Sequence, residues 1–222
     1  MDIISMINTD RLYWLGRYSE RVYTTIRLFG QSFDTLIDRD QSAVEDFCRK
    51  LEIPCIYQSG EDFVERYCFD PTDVNSIYAN LTRAYDNAVE LREEIGSEAV
   101  SYIQLALYVM NNARGNQSPM ILFQKVIDDI LAFWGICDDG IDSENVRNII
   151  KTGKRIERLD LYARLHRSQK DMLREVHRLT VRIDRTHLKY KKNHMDELKT
   201  LVESPVIDYD RVVYLVENLL EE

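Results

Sequence analysis

The chain has 222 residues, 45% of them hydrophobic and 30% charged. That length and balance suit a folded domain with a buried core rather than a disordered segment. A formal net charge of −9 argues against nucleic-acid binding, which needs a basic footprint, and no apolar run reaches the roughly 18 residues of a membrane span.

With only 8 Gly and 4 Pro, the sequence reads as helix almost throughout. Asn8-Thr9-Asp10 offers N-caps for a long helix running to about Asp38. Leu12, Leu15, Val22, Ile26, Phe29, Phe33 and Leu36 recur along it at three- and four-residue steps. A shorter helix is expected from Ser42 to Leu51, ending before Pro54, and another from Phe63 to Phe69. Asp73 is the expected cap of a helix over 74–95 that Gly96 stops, and Ser97 of a further one to Asn112. After a loop through Gln117, Ser118 and Pro119 mark a helix start that runs to about Trp134. Asp138-Asp139-Gly140 reads as a turn, and Asp142 or Ser143 caps a long helix. Ser168 to Asp171 resembles a capping box, which leaves 143–203 as one helix or two. Asp208 caps a last helix to about Leu220. The expected fold is all-α: a single-domain multi-helix bundle spanning 1–222.

Cys48, Cys55, Cys68 and Cys137 form no C-x-x-C pair and have no histidine at ligand spacing, so no zinc site is expected. The opening Met1-Asp2-Ile3-Ile4-Ser5 lacks the basic, apolar, small-residue pattern of a secretory signal. The thiols are therefore expected to be reduced and mostly buried, in a cytoplasmic protein. His166, His177, His187 and His194 include no i, i+4 pair. The Glu-x-x-His motif of di-iron bundles and a glycine-rich phosphate loop are both missing. No metal and no cofactor is expected. A basic run from Arg174 to Lys192, including Arg178, Arg182, Arg185, Lys189 and Lys191, reads first as a solvated face and second as a docking surface.

One short motif occurs twice. Gly16-Arg17-Tyr18-Ser19-Glu20-Arg21 is followed by Arg27-Leu28, and Gly153-Lys154-Arg155-Ile156-Glu157-Arg158 by Arg164-Leu165 at the same spacing. Helical periodicity places Tyr13, Gly16, Glu20, Tyr23 and Arg27 on one stripe and Ile150, Gly153, Glu157, Asp160 and Arg164 on its counterpart. The two glycines permit close helix packing, with both motif helices expected at the centre of the bundle. Thr24 and Leu161 stand four residues past the glutamates, so neither carboxylate has the favoured local cation. Buried, they would pair across helices with arginine, whose planar fork matches a carboxylate.

Leu12-Tyr13-Trp14-Leu15-Gly16-Arg17-Tyr18-Ser19-Glu20-Arg21 resembles the opening helix of alpha-E domain proteins, a bacterial all-helical family named for its Glu-Arg motif. Asn75-Ser76-Ile77, Ala84 to Arg92 and Ser97-Glu98 are similar to the family's central segment. Phe133-Trp134-Gly135 through Asp160 is similar to its second motif helix. The resemblance is clearest over 12–165, and 168–222 diverges. Tyr85 stands where the family usually has Arg, Tyr23 where it has an acid, and Lys154 where it has Arg. Members are encoded beside or fused to ATP-grasp ligase-like and transglutaminase-like proteins, so the resemblance implies a part in peptide or amide-bond formation or modification.

The resemblance and the motif together single out a polar centre of Arg17, Glu20, Arg21, Arg27, Asn87, Arg92, Glu98, Lys154, Glu157, Arg158, Asp160 and Arg164. Gly16 and Gly153 serve as close-packing positions. Three readings follow. The first is a non-catalytic accessory module that binds an ATP-grasp-like ligase or a transglutaminase-like protein. The second is an enzyme acting on an amide or amino-acid-derived substrate, with Glu20 or Glu157 as general acid or base. The third is a self-associating structural bundle.

Overall fold

A computed structural model describes residues 4–38, 41–116 and 119–221, without the side chains of 32–38 and 41. Among them lie ten α-helices, α1 (Met6–Asp38), α2 (Gln41–Leu51), α3 (Gly60–Phe69), α4 (Ile77–Glu90), α5 (Arg92–Ala113), α6 (Pro119–Asp139), α7 (Glu144–Arg164), α8 (Gln169–Ile183), α9 (Lys192–Glu203) and α10 (Tyr209–Glu217). The only pairing outside helices in that stretch is one antiparallel bridge between Tyr190 and Leu220. The all-α expectation holds. The expected helix start at Ser118, and Phe33 and Leu36 as core positions, lie outside the described residues.

The chain divides into two compact units, one of Met1–Arg17 with Ser143–Glu222 and the other of Tyr18–Asp142. In the second unit Phe29, Phe63 and Phe123 are fully buried. Phe63 stacks on Tyr67 and meets Phe47 and Tyr57 edge-on, at centroid distances of 4.9 to 5.1 Å. Such pairs add about 0.5–1.5 kcal/mol each beyond area burial. Tyr57 donates to Asp73 at 2.7 Å. Burial, with that carboxylate beside it, pushes the Tyr57 phenol far up. Three thiols are buried and Cys55 is exposed. Burial, with Cys55 next to it, pushes Cys48 up to about 12.

Several boundaries differ from expectation because side chains other than those anticipated satisfy the free N–H groups at helix starts. The Ser5 hydroxyl accepts from the Asn8 N–H, so α1 begins before Asn8. Ser59 caps α3, and Asp62 reaches back to the Gln58 N–H, as in a capping box. Ser76, not Asp73, caps α4, while Asp73 accepts from Asn75 N in a local turn. The helix expected over 74–95 breaks early, at Leu91, whereas the expected stop at Gly96 holds: α5 is interrupted there at φ 82, ψ 155. That left-handed extended conformation is open to glycine almost alone. α6 continues past Trp134 to Asp139.

In the first unit Ser143 caps α7 and Ser168 caps α8. The stretch over 143–203 is therefore neither one helix nor two but three. α7 closes through bonds from His166 N to Ala163 O and Arg167 N to Tyr162 O, with His166 at φ 47. This Schellman geometry usually employs glycine at the left-handed position. α8 buries Met172, Val176, Leu179 and Ile183 along one face. Each such side chain contributes roughly 1.5–3 kcal/mol. α10 ends at Glu217, short of Leu220.

Candidate functional site

α7 buries nearly the whole of its motif stripe: Ile150, Gly153, Glu157 and Asp160 are buried, and Arg164 is half-buried. Against it runs the N-terminal part of α1, through Arg17. A Cβ on Gly16 would overlap the Ile150 carbonyl oxygen and crowd Lys154 N, and one on Gly153 would overlap the Tyr13 carbonyl oxygen and crowd Arg17 N. No other residue type fits at either place without moving backbone.

This approach brings Arg17 Nε to Glu157 Oε2 at 2.7 Å, with Glu157 at 0% exposure. The guanidinium also faces the Trp14 ring, 4.9 Å from its centroid, and donates to the Tyr13 hydroxyl at 3.4 Å. One turn on from Glu157, Asp160 accepts from Arg164 Nε at 3.1 and 3.2 Å, and Arg164 Nη2 reaches Glu217 at 2.6 Å. Burial pushes the Asp160 carboxyl above its ordinary value. Glu157 adds to the rise, and Arg164 and Arg17 oppose it. Burial also raises the Tyr13 phenol, against the pull of Arg17. Burial alone would lower Arg17, but Glu157, Tyr13 and Asp160 hold it above its ordinary value.

The motif residues of the second unit behave differently. Glu20 is fully buried and accepts from the Thr24 hydroxyl at 2.8 Å. The position that lacks a cation therefore supplies a neutral donor. Arg21 is half-buried and acts electrostatically on the Tyr67 phenol. Arg27 is exposed and donates to Tyr23 on its own helix at 2.8 Å. Arg92 and Glu98 are exposed and Asn87 is half-buried. Arg27, Arg92 and Glu98 thus face solvent rather than a buried polar centre. Helical spacing alone puts Arg27 on the Glu20 stripe, but the burial of that stripe fades before it.

A second charged centre lies between α7 and α8 and was missed by sequence reading. Glu175, at 0% exposure, takes bonds from Arg155 at 2.7 Å, Arg178 at 3.1 Å and Arg174 at 3.2 Å. Burial alone would raise Glu175, yet Arg155 and Arg158 together with these bonds hold it below the usual carboxylate range. Arg155 Nε has no hydrogen-bond partner among the described residues. Glu175 falls on the same face of α8 as Met172, Val176 and Leu179, and that carboxylate in an apolar row was the available signal. Half-buried Lys154 and Arg158 carry the motif's remaining cations.

No cluster of three or more His, Cys, Asp or Glu side chains suited to a metal occurs among the described residues. No helix among them is long and apolar enough to cross a membrane.

An all-helical protein whose repeated Gly–Glu–Arg segments meet at a glycine crossing, with a buried Glu–Arg pair beside it, defines an ER-motif helical domain. The family model Alpha-E, described as a predicted alpha-helical domain with a conserved ER motif, matches residues 8–201. The chain belongs to the Alpha-E family. The match continues through α8 and nearly all of α9, beyond the 12–165 span where the resemblance is clearest by eye. No curated protein matches the chain, and no solved structure does.

Proposed function

We propose that this protein is a non-catalytic helical binding module serving a partner of the ATP-grasp ligase or transglutaminase type in peptide or amide-bond chemistry. One observation carries the reading. Both motif glutamates are fully buried, and protein donors engage each, Arg17 at Glu157 and Thr24 at Glu20. The first bond ties α1 to α7 and the second lies within α1, so both carboxylates are engaged inside the protein, which leaves the surface to recognise a partner. The four free cysteines accord with a cytoplasmic setting.

The test is association of the purified chain with an ATP-grasp-type protein encoded in the same genome, followed by sedimentation or calorimetry. Saturable complex formation at about tens of micromolar or below supports the reading, and its absence at that concentration overturns it.

A second reading, acid–base chemistry on an amide or amino-acid-derived substrate, draws on the raised Asp160 carboxyl beside Glu157. Glu157→Gln, Glu20→Gln and Asp160→Asn variants that fold and keep full activity in a turnover assay would exclude it.

A further inference from the structure

Cys48 lies in the last turn of α2, and the chain that follows folds back over it. The helix ends in the Schellman manner. Ile53 N–H donates to Cys48 O at 3.0 Å, Glu52 N–H donates to Arg49 O at 3.1 Å, and Glu52 takes φ 53. Pro54 comes next and cannot continue a helix. The returning segment is then held just beyond Cys55. Ile56 O accepts from Arg66 at 2.9 Å, and Tyr57 is buried with its hydroxyl on Asp73.

This reversal, fixed on both sides, brings the Cys55 side chain back to Cys48, and the two thiols share a hydrogen bond. Their surroundings differ sharply. Cys48 is 1% exposed and has the Asp73 carboxylate near it, whereas Cys55 is open to solvent. Cys68 and Cys137 are buried, so an oxidant in solution meets Cys55 first.

We propose that Cys48 and Cys55 form a redox modification site, a dithiol that a hydroperoxide converts to an intramolecular disulfide and a thiol reductant restores. The exposed Cys55 sulfur attacks the peroxide. An S–O bond forms, the O–O bond breaks, and Cys55 becomes a sulfenic acid as one water leaves. The Cys48 sulfur then attacks the Cys55 sulfur. The S–S bond forms, the S–O bond breaks, and the departing hydroxide takes the Cys48 proton away as a second water. The pair of thiols is oxidised and the peroxide is reduced. Burial beside a carboxylate keeps Cys48 a thiol, which shields it from the peroxide itself. It reacts once its neighbour presents an electrophilic sulfur in contact. Disulfides of this kind are the transient, redox-sensing ones that a reducing compartment permits.

The experiment treats the folded full chain with hydrogen peroxide, alkylates the remaining thiols, and maps tryptic fragments by mass spectrometry without reduction. Arg49 and Lys50 lie between the two cysteines, so trypsin separates them and only a disulfide keeps their fragments together. The expected result is a linked Cys48–Cys55 fragment pair as the main oxidised product, released by dithiothreitol. Cys48 and Cys55 lose their alkylation together, while Cys68 and Cys137 keep theirs. In Cys48→Ala, shown to be folded by circular dichroism, Cys55 should stop at the sulfenic acid and be trapped by a cyclic 1,3-dione. The proposal is overturned if Cys55 resists oxidation, if it links to Cys68, Cys137 or a second chain, or if it reaches the sulfinic acid unlinked. The wild-type map decides between these outcomes even if Cys48→Ala does not fold.

Discussion

Two buried carboxylate centres border α7, one at Glu157 and Asp160 on that helix and one at Glu175 on α8, and their carboxyls are shifted in opposite directions. Around Glu157 and Asp160, two acids share the space with two arginines, Arg17 and Arg164, so each acid meets a like charge as well as an opposite one. Around Glu175 a single acid faces Arg155, Arg174 and Arg178. Burial penalises ionisation at both. At Asp160 the second carboxylate reinforces that penalty, and at Glu175 the surplus of guanidinium groups overcomes it. Burial works against ionisation at both, and the surplus of guanidinium groups reverses its effect only at Glu175.

The largest expected effect breaks the Glu175 centre. Glu175→Gln removes the charge that holds the largely buried Arg155, and loss of about 3–5 kcal/mol in urea denaturation is expected. Gly16→Ala breaks the other centre through the backbone. It forces α1 from the Ile150 carbonyl and draws Arg17 away from Glu157, at a loss of about 3 kcal/mol, the upper end of overpacking.

A smaller effect sharpens the contrast through pH. Asp160 has a raised folded-state value. Its part of the stability is present at acid pH and is lost as pH rises from the ordinary carboxylate range through that raised value. Glu175 has a depressed one. Its part is present above the ordinary range and is lost as pH falls through the depressed value. Urea midpoints measured across pH should therefore lose part of their decline on the higher side in Asp160→Asn, and part of their acid-side decline in Glu175→Gln. Arg27→Gln, at an exposed position outside both centres, should change stability by no more than about 0.5 kcal/mol.

Helix content and the motif register were legible because both depend on spacing along one chain. The stripe over Ile150, Gly153, Glu157 and Asp160 buries as the period requires. The Glu157–Arg17 pair also follows from a carboxylate that has no cation four residues on. Other features depend on tertiary choices. Ser76 and Asp73 are both competent caps, and Tyr57 claims the Asp73 carboxylate. Leu91 carries no breaker signal, yet the helix stops there. Glu175 shows in the sequence only as a carboxylate in an apolar row, and its partners emerge when α7 brings Arg155 against it. Arg27 shares a helical row with Glu20 although the row leaves the core first. Within the candidate site, the pairing on α7 was thus readable, whereas the solvent exposure of Arg27, Arg92 and Glu98 was not.

The glycine crossing is reciprocal. Gly16 meets the carbonyl three residues before Gly153, and Gly153 meets the carbonyl three residues before Gly16. In an oligomer such a contact would be called isologous, with one patch facing its own equivalent across a two-fold axis. Here both copies belong to a single polypeptide, one on α7 and one at the start of α1. A methyl group added on either side parts the same two backbones. A methyl group added on the second side enters a gap already opened by the first, so the double alanine variant should cost clearly less than the sum of its singles.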